Sequence, residues 1–154
     1  MKYPQTRLRR NRQTSYIRNL TQENFVSKFD LIYPVFVLDG ENRSEPILSM
    51  PGQSRLSIDL LLLLLDSAVT DGLQGVAIFP VIEFAKDDLA TESYNENGLV
   101  PRIIKAIKQS FPDLGVFTDI ALDPYTIHGQ DGIIDDNGYV INDVTNEVLI
   151  KQAL

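Results

Sequence analysis

Continuous apolar runs, separated by polar stretches of very different length, organise this chain. Asp30-Leu-Ile-Tyr-Pro-Val-Phe-Val-Leu38 is rich in β-branched and aromatic residues and is closed by Asp39-Gly40, which predicts a buried strand. Residues 40 to 56 read as a loop, and Ser57 is placed to cap a helix over 58–71 that carries Asp59 in its first turn and ends at Gly72. The leucine run Leu60 to Leu65 makes this helix apolar all round, which suits either a core helix or contact with a partner subunit. Gly75-Val-Ala-Ile-Phe-Pro-Val-Ile82 has the pattern of a parallel strand buried on both faces. The polar stretch 83–98 is too long to be an idle connection; loops of that length tend to be functional or mobile. Pro101 suits the first position of a helix over 102–110, with Ile103, Ile104 and Ile107 on one face and Lys105 and Lys108 largely on another. Phe111-Pro112 ends it, and Leu114 to Leu122 forms a third apolar run. A polar loop, a hairpin around Asp136-Asn137-Gly138 and a helix from about 143 complete the pattern.

Repeated strand–helix units with continuous apolar strands imply a parallel α/β sheet, either open and doubly wound or part of a barrel, which periodicity alone does not separate. No Gly-x-Gly-x-x-Gly or Walker sequence follows any strand, so nucleotide-binding readings lose their main support. The chain closes within a helical pattern at Lys151-Gln-Ala-Leu154, which reads as a truncation.

With 154 residues and 44% apolar content, one globular core is expected. The net charge of −7 is unevenly spread: Lys2, Arg7, Arg9, Arg10, Arg12 and Arg18 precede all 21 acidic residues. Such a basic arm would grip phosphates, dock on an acidic neighbouring subunit or remain a solvated tail; the acidic remainder argues against nucleic acid. The absence of cysteine excludes disulfides and thiolate metal sites. No apolar segment is long enough for a signal peptide core or a membrane span, so a cytoplasmic protein is expected.

The stretch Thr118 to Gly132 carries the candidate chemistry. Asp119 lies in an otherwise apolar run near a strand end, where a carboxylate calls for a partner, a metal or a ligand, and where α/β enzymes place their chemistry. Asp123, His128 and Asp131 follow on the same loop. Oxygen ligands of this kind favour a hard ion such as magnesium, whereas His128 reads as a loop hydrogen-bonder. A calcium loop fails in register, with Ile133 at the first ligand position and Val144 at the twelfth.

The run Asp119-Ile-Ala-Leu-Asp-Pro-Tyr-Thr-Ile-His-Gly-Gln-Asp-Gly132 resembles the strand and loop of the porphobilinogen synthase family, also called 5-aminolevulinate dehydratases. Ala121, Asp123 and Asp131 stand where its zinc-dependent members have three cysteines, so the resemblance is to the aspartate-rich type and no catalytic zinc is expected. Arg7-Leu-Arg-Arg10, Ser49-Met-Pro-Gly52, Arg55-Leu-Ser-Ile-Asp59 and Ala77-Ile-Phe-Pro-Val81 are similar to further family landmarks, in the same order. Ile127, in place of the serine usual before His-Gly, and Leu63-Leu64, where charged residues are common, depart from the pattern.

The resemblance implies the N-terminal half of a (β/α)₈ TIM barrel, with residues 1–29 as an N-terminal arm and 30–154 as the first βα units. It also implies a homo-oligomer, commonly an octamer, assembled through that arm. The implied reaction condenses two molecules of 5-aminolevulinate to porphobilinogen through Schiff bases on two lysines. None of Lys2, Lys28, Lys86, Lys105, Lys108 and Lys151 matches those lysine positions, so activity is not expected from this chain by itself. Asp119 matches an active-site carboxylate beside the substrate amino group, and Asp123 and Asp131 match the adjoining loop, which either holds magnesium or only shapes the site. A non-catalytic oligomerisation or regulatory module derived from the enzyme is the alternative.

Overall fold

In the computed structural model, residues 2–154 are described. Three parallel strands form the spine: β1 (Ile32–Leu38), β4 (Gly75–Val81) and β5 (Gly115–Thr118). The short β2 (Ser44–Pro46) and β3 (Ser54–Leu56) pair with each other antiparallel, and β3 lies parallel to β1, giving the order β2-β3-β1-β4-β5. The predicted loop 40–56 therefore contains a small hairpin, whose strands are too short for an alternating pattern to reveal them. Three helices cover the body, α2 (Ile58–Thr70), α3 (Leu99–Ser110) and α4 (Asn142–Ala153).

The core forms because helix and strand periods present apolar residues to one shared side. Val35 and Val37 of β1 and Val76 and Ile78 of β4 pack with Leu61 and Leu65 of α2 and with Ile103 and Ile107 of α3. Both crossover helices thus lie on the same face, while β1, β4 and β5 succeed one another without the reversal of order that marks a doubly wound sheet. This is the winding of a (β/α) barrel.

The expectation that the second strand is buried on both faces is corrected by the other side of the sheet. Phe36 and Phe79 stack there with ring centroids 5.6 Å apart, yet Phe79 remains 41% exposed and Phe117 51%. They lie opposite α2 and α3, because both crossovers turn the same way.

Several boundaries also shift. α3 begins at Leu99, so Pro101 sits inside the first turn, where an N–H has no intrahelical partner to lose. Ser57 does stand at the α2 N-cap, but its buried hydroxyl bonds the Arg43 backbone, accepting from the N–H at 3.0 Å and donating to the carbonyl at 3.3 Å. It ties the β2–β3 hairpin to the helix start rather than capping the helix. Gly72 takes φ +97° beyond α2, a left-handed exit that favours glycine. The Asp135–Tyr139 turn closes one bridge between Ile134 and Val140, and the Asp135 carboxylate accepts from Asn137 and Tyr139 N–H.

In the arm, residues 2–29 contribute nothing to the buried core, although they form a helix α1 (Ser15–Thr21) that the charge pattern did not announce. Leu20, Phe25 and Val26 are each more than three-quarters exposed.

Candidate active site

The third apolar run does not stay a strand to Leu122. β5 ends at Thr118, and Leu122 turns into a second cluster with Ala90, Tyr125, Ile133 and Val148. The Asp131 carboxylate accepts from the Leu122 N–H at 2.6 Å, which holds the chain away from the sheet. Asp119 is consequently the first residue past the strand and is exposed, so the desolvation cost expected for a carboxylate inside a strand does not arise.

What it does occupy is the C-terminal end of a parallel strand, facing a cleft of about 840 Å³. Phe36, Phe79 and Val81 give the cleft apolar walls, while Asp119, Asp123 and Lys86 bring charge to it. Such a mixture of apolar lining with a few charged groups is suited to a small polar substrate. Asp131 does not line this cleft; its role here is the bond to Leu122.

Around the loop, Tyr125 N–H and Thr126 N–H both donate to the Leu122 carbonyl, and the buried Thr126 hydroxyl donates to the Gln130 carbonyl at 2.9 Å. His128 Nδ1 accepts from the Gln130 N–H at 3.1 Å, the loop-bonding role expected of it. Burial, aided by the charge of Glu92, pushes the Tyr125 hydroxyl up to about 12, so it remains protonated at neutral pH. Gln152 of α4 donates to the Ala121 carbonyl at 3.1 Å and so braces the loop from the helix side.

The carboxylates do not assemble a metal cage. Among the described residues no three histidine, aspartate or glutamate side chains converge on one point, and one Asp131 oxygen is already engaged. Sequence reasoning missed Lys86, Arg55 and Gln152 as cleft-lining residues. Only the unusual length of the 83–98 stretch hinted that something there mattered.

The winding, with helices on one face and a carboxylate loop at the strand C-termini, defines part of a (β/α) barrel. The family model for delta-aminolevulinic acid dehydratase matches residues 5–154, and the chain belongs to that family. It is 43% identical to the dehydratase of Bradyrhizobium diazoefficiens over 149 residues, covering 96% of this chain and 42% of the relative. It is 42% identical to that of Methanothermus sociabilis over 154 residues, covering all of this chain and 47% of the relative. The crystal structure of the Toxoplasma gondii enzyme in complex with its reaction product porphobilinogen superposes with a TM-score of 0.87 at 47% identity, over 96% of this chain and 42% of that one. The chain therefore spans less than half the length of these relatives. Its fold is that of the N-terminal part of their TIM barrel.

Proposed function

We propose that residues 30–154 supply the first βα units, and residues 1–29 the N-terminal arm, of a porphobilinogen synthase, the lyase that condenses two 5-aminolevulinate molecules for tetrapyrrole and haem synthesis. The observation that carries this reading is Asp119 at the mouth of β5, in one cleft with Asp123 and Lys86. In this reading Asp119 holds the substrate ammonium or takes part in proton transfer at the adjacent carbon. Asp123 adds negative charge to the same cleft, and Asp131 shapes the loop. The Schiff-base lysines are not supplied by these residues. Any magnesium ion here would rest on Asp123 with most of its coordination shell from water, since the Asp131 carboxylate is engaged by the Leu122 N–H. The exposed apolar residues of the arm, Leu20, Phe25 and Val26, support its packing on a neighbouring subunit of a cytoplasmic homo-oligomer.

Incubating the chain with 5-aminolevulinate tests both halves of the reading. Substrate is expected to shift the amide resonances of Asp119 to Asp123, with the shifts lost in Asp119→Asn, while no porphobilinogen forms. Turnover would overturn the lysine assignment, and the absence of any shift would overturn the site. The alternative, a non-catalytic oligomerisation module, rests on the same exposed arm; it predicts co-purification with an intact homologue together with no response to 5-aminolevulinate.

A further inference from the structure

We propose that Asp87 is a positioning residue that latches residues 83–91 onto the loop bearing Asp119, Asp123 and Asp131, fixing where Asp119, Asp123 and Lys86 stand in the cleft. This deepens the reading above and rests on it for the role of that loop. The latch has two parts. Through its backbone, Asp87 pairs with Thr126 as an isolated parallel bridge: its N–H donates to the Tyr125 carbonyl at 3.2 Å, and its carbonyl accepts from Ile127 N–H at 3.3 Å. Through its side chain, one carboxylate oxygen accepts from Leu89 N–H and Thr91 N–H, each at 3.0 Å, and the other accepts from the Thr91 hydroxyl.

The backbone around Asp87 explains why the side-chain bonds are needed. Ala85 and Ala90 both adopt left-handed conformations, with φ of +62° and +51°, a region residues other than glycine rarely enter. Such conformations persist only where their surroundings over-determine them. The carboxylate supplies part of that constraint, and the burial of Ala90 against Leu122 and Tyr125 supplies the rest. Lys86, immediately before Asp87, lines the cleft, so one residue sets the position of a cation on one loop and of carboxylates on another.

Amide hydrogen exchange on the whole chain tests the latch without requiring catalysis. In Asp87→Ala, exchange at Leu89, Thr91 and Ile127 is expected to rise about tenfold or more, the scale of losing a hydrogen bond to a charged group, with Val35 and Ile78 unchanged. Asp87→Asn, whose amide oxygen still accepts, should restore most of the protection at Leu89 and Thr91. Thr91→Val should loosen Ile127 to a smaller extent, and it carries the test if Asp87→Ala does not fold. Unchanged exchange at Ile127 in Asp87→Ala and Thr91→Val, or an equal rise at Val35 and Ile78, would overturn the proposal. A parallel titration with 5-aminolevulinate separates the two readings. If the unmodified chain shows no response, the substrate assignment fails while the exchange data still decide the latch; if it responds, Asp87→Ala should weaken the binding and Asp87→Asn should recover it.

Discussion

Asp131 illustrates how one residue type serves two purposes on a short loop. The resemblance puts it beside Asp119 and Asp123, but its carboxylate accepts from the Leu122 N–H at 2.6 Å and does not line the cleft. Hydrogen bonds to charged groups contribute roughly 1.5–3 kcal/mol, and a donor left unpaired retains its desolvation cost. Asp131→Ala is therefore expected to lower stability by about 1–3 kcal/mol, whereas Asp131→Asn, which keeps an acceptor oxygen, should cost under about 1 kcal/mol; urea unfolding of the two variants distinguishes them. Equal losses would mean that charge rather than hydrogen bonding holds the loop. The motif made Asp119, Asp123 and Asp131 legible as a group, but not this division of labour. Asp87 was not legible at all, since its role depends on which backbone N–H groups face it, and that follows from loop geometry with no period in the sequence.

At the scale of elements, the helices were the most legible, α3 from its apolar stripe and α2 from its leucine run, and α2, α3 and α4 fall within a few residues of expectation. The end of β5 was not, because the apolar pattern continues to Leu122 and only the competing cluster around Tyr125 and Ile133 draws the chain out of the sheet. Charged contacts then tie the connections together. Arg43 reaches Glu83 at 2.8 Å and Glu45 at 2.6 Å, and Arg102 of α3 reaches Asp39, the residue after β1, at 2.8 Å. These groups are partly exposed, so their net contribution is small and salt-sensitive. Its pH dependence has a definite sign. The hydrogen bond from Arg102 holds Asp39 below its ordinary range against the opposing effect of burial, and Arg43 likewise lowers Glu83. A carboxylate with a depressed folded-state pKa contributes stability above its unfolded value and loses it as the pH falls through the folded value. Unfolding free energy measured downward from about pH 5 should therefore decline most steeply below about pH 4, and Arg102→Gln should flatten part of that decline. An unchanged slope would show that the Asp39 pair does not contribute.

For the molecule as a whole, the decisive asymmetry lies between the two faces of one sheet. Periodicity left an open sheet and a barrel equally admissible, because both bury continuous apolar strands; the common side of α2 and α3 and the unreversed strand order resolve the choice. The same geometry leaves Phe36, Phe79 and Phe117 on the face opposite α2 and α3, next to the outer edge of β5. Exposed apolar patches beside an unpaired strand edge promote association. Substitutions on the two faces should therefore separate stability from association. Leu61 is fully buried on the helix side, so Leu61→Ala is expected to cost about 2–5 kcal/mol. Phe79 already gives up part of its burial to solvent, so Phe79→Ser should cost less while reducing both self-association in sedimentation velocity and the binding of an apolar dye. If Phe79→Ser leaves association unchanged while changes at Leu20 or Phe25 abolish it, the arm and not the open sheet face drives assembly. That result would place the subunit contact on the arm, where Leu20, Phe25 and Val26 stand more than three-quarters exposed.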